Sequence, residues 1–204
     1  IEEKTDLLKV LLAGVAKTHA KNYAEAVEKA GFVLHAIDVF PLSAARVLSI
    51  KNDSSDLAVI DVGASHCEIT IIEKGKVFFS RNIAFSGDIL TDIISEILLV
   101  DKNQAEQVKK NPGASKDVIQ EKISMLLQEL MLEVSRFFDF YAIQRKGQQI
   151  KMIVLVGNGS KLWCLKHIFS DYFNIPVITA NDLDLGFKDE YEKTGNLNYI
   201  EFFN

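Results

Sequence analysis

The pattern of apolar and polar positions divides the chain near residue 52. After that point, LAVIDV at 57–62 is apolar almost without a break, the mark of a strand covered on both faces. HCEITIIE at 66–73 and VFFSRNIA at 77–84 read as two more strands, joined by a tight hairpin at Lys74-Gly75-Lys76. Ile89, Ile93 and Ile97 recur every four residues and predict a helix over 88–100. Asn111-Pro112-Gly113 interrupts the chain. A long helix is then expected over 115–145, with Ile119, Ile123, Leu127, Leu130, Val134, Phe137 and Tyr141 as its core stripe. IKMIVLV at 150–156 is another buried strand, followed by Gly157-Asn158-Gly159-Ser160, a helix over 161–171 and a strand at 176–179. The tail from residue 181 has no clear assignment. A buried strand followed by a helical crossover returns parallel, so 150–156 is expected beside and parallel to 57–62, with 66–73 and 77–84 antiparallel on the other side.

Before residue 52 the pattern predicts a smaller unit. LLKVLLAGV at 7–15 and FVLHAIDV at 32–39 have strand character. Between them Thr18 is placed to cap a helix whose face carries Tyr23, Val27 and Ala30, and Gly31 is placed to stop it. The three together predict a βαβ unit. Pro41 opens a further helix to about Ser49, and the polar run KNDSSD at 51–56 marks a boundary. The expected organisation is therefore 1–52 and 53–204.

Composition narrows the function without deciding it. Apolar residues make up 48% of the 204, charged residues 25%, and the net charge is −5. No basic stripe is present to neutralise a phosphate backbone, so nucleic acid is not an expected partner. Cys67 and Cys164 are far apart, and His19, His35, His66 and His167 are scattered, which argues against disulfides or a structural zinc site. No apolar run reaches membrane-spanning length. The chain opens on Ile1, within what reads as a domain, and is expected to be a piece of a longer protein.

Two turns at strand ends carry the candidate chemistry. Asp61-Val62-Gly63-Ala64-Ser65 follows the first buried strand, and Gly157-Asn158-Gly159-Ser160 follows the parallel one. Glycine lets backbone approach a phosphate, successive N–H groups make an anion nest, and a helix start adds a positive dipole end. A carboxylate at a strand end can hold magnesium through water or orient an attacking water. If both strands share a sheet, both turns leave the edge where α/β proteins bind ligands. There is no Walker A sequence, and the second turn lacks the third glycine of the dinucleotide fingerprint. His66, Cys67, Trp163 and Cys164 are read as structural, and Arg81 as a partner for a carboxylate.

In the order and spacing of these segments the chain resembles the actin-like ATPase superfamily, most closely its PilM-type pilus-assembly proteins. DVGASHCEITIIEKGKVFFSRNIAFSGDILT at 61–91 resembles the second phosphate segment, LVGNGSKLWCLKHIFSDYFNIPV at 155–177 the adenosine segment, and residues 10–48 the stretch joining the small inserted subdomain to the second lobe. The resemblance implies an actin-like (ribonuclease H-like) α/β fold: the second lobe complete, with part of the first lobe and of the inserted small subdomain. It implies ATP and Mg2+ as ligands. Asp61 would be the catalytic residue and would hold magnesium through water. Gly63, Ala64 and Ser65 would face phosphate, and Gly157, Asn158, Gly159 and Ser160 the adenosine side. Glu133, with Glu129 and Arg136, would reach the ribose or base.

The family's first phosphate segment does not occur in these residues. Cys67 stands where the family has threonine, Ser86 replaces the first of two glycines, and Asn158 a central glycine; these departures bear on hydrolysis more than on fold, and leave a weak ATPase as the expectation. The implied function is a cytoplasmic scaffold at the inner face of the cell membrane, with self-association as a further expectation. It would recruit the cytoplasmic tail of a PilN-type inner-membrane protein. The competing readings are a nucleotide-free adaptor with a degenerate site, an FtsA-like filament-forming division protein, and a metabolic kinase of the same superfamily.

Overall fold

The computed structural model describes residues 10–49 and 56–183. One five-stranded sheet organises them. Its strands are β1 (Leu57–Val62), β2 (Cys67–Glu73), β3 (Lys76–Ile83), β4 (Met152–Val156) and β5 (Val177–Thr179), in the order β3-β2-β1-β4-β5. β1, β2 and β3 pair antiparallel, and β4 lies parallel to both β1 and β5, as the buried-strand pattern requires. The β2–β3 hairpin turns through Lys74 and Gly75, both at positive φ (49° and 75°), which matches the twist of the strands it joins.

The helices follow the apolar periodicity: α1 (Lys17–Lys29), α2 (Phe40–Ser49), α3 (Gly87–Leu98), α4 (Lys102–Lys110), α5 (Lys116–Gln144) and α6 (Leu165–Phe173). Alternate residues of β1 face opposite ways. Ala58, Ile60 and Val62 join Leu90 and Ile94 of α3, the α5 stripe and Phe169 of α6 in the main core. Leu57 and Val59 join Ala45 and Leu48 of α2, with Ile72 and Val154, on the other face. Burying a side chain such as Leu130 contributes roughly 1.5–3 kcal/mol. The α5 stripe is buried as expected, with Phe137 half-buried.

A register shift between Ile71 and Ile72 lets β3 place both Phe78 and Phe79 toward α5. There Phe78 meets Tyr141 edge-on at 5.2 Å and Phe79 meets Phe140 at 5.3 Å. Arg145, at the end of α5, covers the Phe78 ring at 4.3 Å and is ion-paired with Glu73.

The expected βαβ unit over 7–39 does not form among the described residues. Residues 7–9 lie outside them, and 10–16 and 32–39 carry no strand. A strand exists only when its N–H and C=O groups find a ladder, and no described strand lies beside either segment. Gly31 does stop α1, at φ 83°, with Phe32 N–H donating to Val27 O at 3.1 Å. Thr18 is not its cap: the helix starts from Ala16 without a side-chain bond. Most of the polar run 51–56 lies outside the described residues; its last residue, Asp56, is buried.

Candidate functional site

Because β1 and β4 run parallel with Asp61 opposite Val156, the turns that follow them leave the sheet side by side. In the first, Gly63 N–H donates to His66 O at 2.9 Å, closing a turn so tight that a Cβ at Gly63 would stand 2.9 Å from the same oxygen. The carbonyls of Gly63 and Ala64 accept from the first amides of α3, Gly87 N at 2.9 Å and Asp88 N at 2.8 Å. The amides of Ala64 and Ser65 make no hydrogen bond among the described residues. The loop thus gives its acceptors to α3 and keeps two donors open, next to the positive end of a twelve-residue helix capped by Ser86 Oγ.

The second turn is pressed against the first. A Cβ on Gly157 would collide with the Asp61 carboxylate and stand 2.6 Å from Val62 O; one on Gly159 would collide with the Val62 side chain and stand 2.7 Å from Val62 O. Gly157 also has φ 76°, in the left-handed region. The expected helix over 161–171 is corrected here. Asn158–Lys161 is a short 3-10 turn, and α6 begins only at Leu165. The helix dipole at this edge therefore comes from α3 and not from the glycine turn.

Together the turns form two walls of a cleft of about 610 Å³. Gly63, Ala64 and Gly87 line one side and Asn158, Gly159, Lys161 and Leu162 the other, while α4 adds Glu106, Lys109 and Lys110. Lys109 is nearly enclosed, and its ammonium is held by Gly87 O at 3.0 Å, Thr91 Oγ1 at 2.7 Å and Glu106 Oε2 at 2.5 Å. An ammonium has three donors, so Lys109 has none to spare. The cations left for a ligand are Lys110, 3.6 Å from Glu106, and Lys161, which forms no ion pair among the described residues. Burial pushes the Glu106 carboxyl up, but hydrogen bonds from Lys109 and Thr91 and the two lysine charges outweigh it and hold it below its ordinary value.

Asp61 is half-buried against Gly157. Burial raises its carboxyl, the His66 charge partly offsets this, and Glu68 raises it further. One carboxylate at the end of β1 suits magnesium, which takes one or two protein carboxylates and completes its shell with water and phosphate oxygens. Among the described residues no group of three His, Cys, Asp or Glu could form a cage for a metal.

Of the residues singled out by sequence, Gly63, Ala64, Asn158 and Gly159 meet in the cleft. Gly157 and Asp61 stand behind the second turn. Ser65 is exposed, its Oγ 3.3 Å from His66 Nδ1. Ser160 is turned inward, donating to Gly157 O at 2.7 Å, so its hydroxyl serves the turn. Glu133 and Arg136 pair with each other on α5, and neither they nor Glu129 line the cleft. Arg81 is exposed and has no carboxylate partner among the described residues. Cys67 is fully buried, its thiol pushed up to about 12 by burial and the nearby charges of Asp61 and Glu68. Sequence reasoning missed Glu106, Lys109, Lys110 and Lys161. The signal for α4 was the capping box of Asp101 and Gln104.

Comparison with known proteins places this geometry. The model of the family described as type IV pilus assembly protein PilM matches residues 1–192. The cell division protein FtsA of Buchnera aphidicola is 25% identical over 210 residues, which covers 87% of this chain and 50% of that protein. Among solved structures, a PilM-PilN type IV pilus biogenesis complex superposes with a TM-score of 0.69 at 26% identity, over 79% of this chain and 47% of that one. The ethanolamine utilization protein EutJ of Carboxydothermus hydrogenoformans shares the fold, with a TM-score of 0.67 at 23% identity, over 81% of this chain and 57% of that one. The chain spans about half the length of these relatives. Its sheet order, its paired turns and the family match across nearly all its residues agree: the chain belongs to the type IV pilus assembly protein PilM family, within the actin-like ATPase superfamily.

Proposed function

We propose that this chain carries half of an ATP–Mg2+ site in a PilM-type scaffold that recruits a PilN-type membrane protein to the inner face of the cell membrane. The observation that carries the reading is the cleft lined by Gly63, Ala64, Asn158 and Gly159, with an open Ala64 amide and with Lys110 and Lys161 at its walls. The Ala64 and Ser65 amides hold phosphate oxygens beside the positive end of α3, Lys110 and Lys161 offset their charge, and Glu106 offers an acceptor to a hydroxyl. Magnesium, when bound, neutralises the charge shared between neighbouring phosphates. Asp61 holds its water shell and orients a water for slow hydrolysis.

The partner reading is supported by the PilM-PilN complex among the similar structures and by the exposed apolar side chains from Val10 to Ile37. No described helix is long and apolar enough to cross a membrane, which fits attachment through a partner. The test is calorimetry on the full-length protein with Mg2+·ATP, and with a synthetic cytoplasmic tail of the PilN-type protein encoded beside it. Micromolar or tighter binding of both is expected. Tail binding without nucleotide binding would favour the nucleotide-free adaptor, and failure of every tail would end the pilus reading while leaving the fold untouched.

A further inference from the structure

The outer face of α5 is divided lengthwise. The half toward α6, where Phe138 meets Phe173, carries Asp117, Ser124, Gln128 and Ser135. The half toward β3, where Phe140 meets Phe79, carries Val118, Met125 and Leu132 at seven-residue spacing, with Phe140 and Ile143 beyond them. Seven residues are nearly two whole turns, so these side chains form one row. All five are exposed, Met125 at 72% and Ile143 at 77%. The buried stripe from Ile119 to Tyr141 already accounts for the packing of α5 on the sheet, and this second row is left over. From Val118 to Ile143 it runs about 37 Å at the helical rise. Glu129, Glu133 and Arg136 stand along the same row and away from the cleft. Glu133 and Arg136 pair with each other, while Glu129 is exposed and makes no ion pair among the described residues.

We infer that this half of α5 is an interface for a second copy of the same chain, the two helices lying antiparallel about a two-fold axis beside Leu132. The row is its own complement in that arrangement. With the axis between positions 132 and 133, the two Leu132 side chains meet at the centre. Glu129 lies opposite the second copy's Arg136, and Met125 opposite its Phe140, each match occurring twice. The carbon stem of Lys122 covers the second copy's Ile143. A guanidinium has five donors, so Arg136 serves Glu133 of its own helix and Glu129 across the axis together. Like meets like at the apolar positions and opposite charges meet at the polar ones, which favours a second copy over an unrelated helix. One patch facing itself closes at two copies, whereas a filament needs two different patches. The inference goes beyond the function proposed above, which assigns no surface to self-association.

The experiment is sedimentation velocity on the full-length protein at about 1 to 100 micromolar, with thermal melts of each variant. A dimer with a micromolar Kd is expected, because one helix pair lies near the lower limit of specific interfaces, about 1,000–1,200 Å2 in total. Leu132→Glu sets like charges together at the axis and is expected to weaken the dimer about a hundredfold. Glu129→Arg and Arg136→Glu are each expected to weaken it about tenfold, and the double variant to return within about threefold of wild type, because the exchange restores both pairs. These side chains are exposed, so the monomer's melting midpoint is expected to move little. A wild-type protein that stays monomeric up to about 100 micromolar overturns the inference. So does an assembly that Leu132→Glu leaves intact, or a double variant no tighter than the singles. None of these results bears on ATP or tail binding, which stand or fall by their own titrations.

Discussion

Two stretches of this chain have similar apolar content and opposite fates. From Leu57 onward, two layers of apolar side chains are buried around the sheet. From Val10 to Val39 not one residue is buried: Leu12 is 91% exposed, Val33 78% and Tyr23 69%. The difference lies in partners rather than in propensity. β1 is sandwiched because β2, β4, α2 and α5 all return to it, whereas 10–39 has no neighbouring strand among the described residues. Apolar periodicity thus states what a segment can bury, and the rest of the chain decides whether it does.

The sharpest test of that contrast is a pair of truncations. Leu130→Ala is expected to destabilise this chain by about 2–5 kcal/mol in urea melts, as large-to-small changes in a packed core do. Phe32→Ala, at a side chain 70% exposed, is expected to stay within about 0.5 kcal/mol. In the full-length protein Phe32→Ala becomes costly if the rest of the protein covers it, and an unchanged midpoint there would break the comparison. A second pair uses glycines. Gly157→Ala combines a left-handed backbone with overpacking against β1, and is expected to cost about 2–4 kcal/mol in the same melts. Gly31→Ala meets nothing within 4 Å and is expected to cost about 1 kcal/mol from backbone strain alone.

Smaller effects come from two carboxylates with opposite shifts. The Asp61 carboxyl is raised, so the folded chain holds that proton to higher pH than the unfolded one. Its contribution to stability therefore falls as pH rises from about the ordinary carboxylate value through the folded one. Asp61→Asn is expected to raise the melting midpoint slightly at pH 7 and, on the ATP-site proposal, to abolish any magnesium-dependent hydrolysis measured in the full-length protein. Asp182 is the reverse. Hydrogen bonds from Lys166 and from the Thr179 backbone and hydroxyl hold it down to about 2. It is well exposed, so a modest loss of stability is expected as pH drops from about 4 toward 2, and Asp182→Asn should remove that part of the acid titration.

Where structure depends on local pattern, the sequence was enough. β1 occupies Leu57–Val62 as its apolar run predicts, and α5 keeps its expected stripe over 29 residues. Joining the two glycine turns at one edge needed only the parallel-return rule, which β1 and β4 obey. What escaped was decided by approach in space. α4 is almost wholly polar, with Ala105 its one buried residue, so periodicity could not announce it or the two lysines and the glutamate it delivers to the cleft. Glu133 illustrates the converse: its helix was legible, but its neighbour is Arg136 and not a ligand. For Gly157 and Gly159, proximity to Asp61 and Val62, invisible in sequence, is what demands a residue without a side chain.

The enclosure of Lys109 has a chemical consequence. Amine acylation needs an accessible nitrogen, and Lys109 sits at 14% exposure with its donors engaged by a carboxylate, a hydroxyl and a carbonyl. Lys110, next to it in sequence, and Lys161, from the second turn, line the same cleft and are exposed. Brief treatment with an acylating reagent followed by peptide mapping should therefore mark those two first and leave Lys109 unmodified until the α3–α4 pair opens, turning one lysine into a built-in reporter of local unfolding at the cleft.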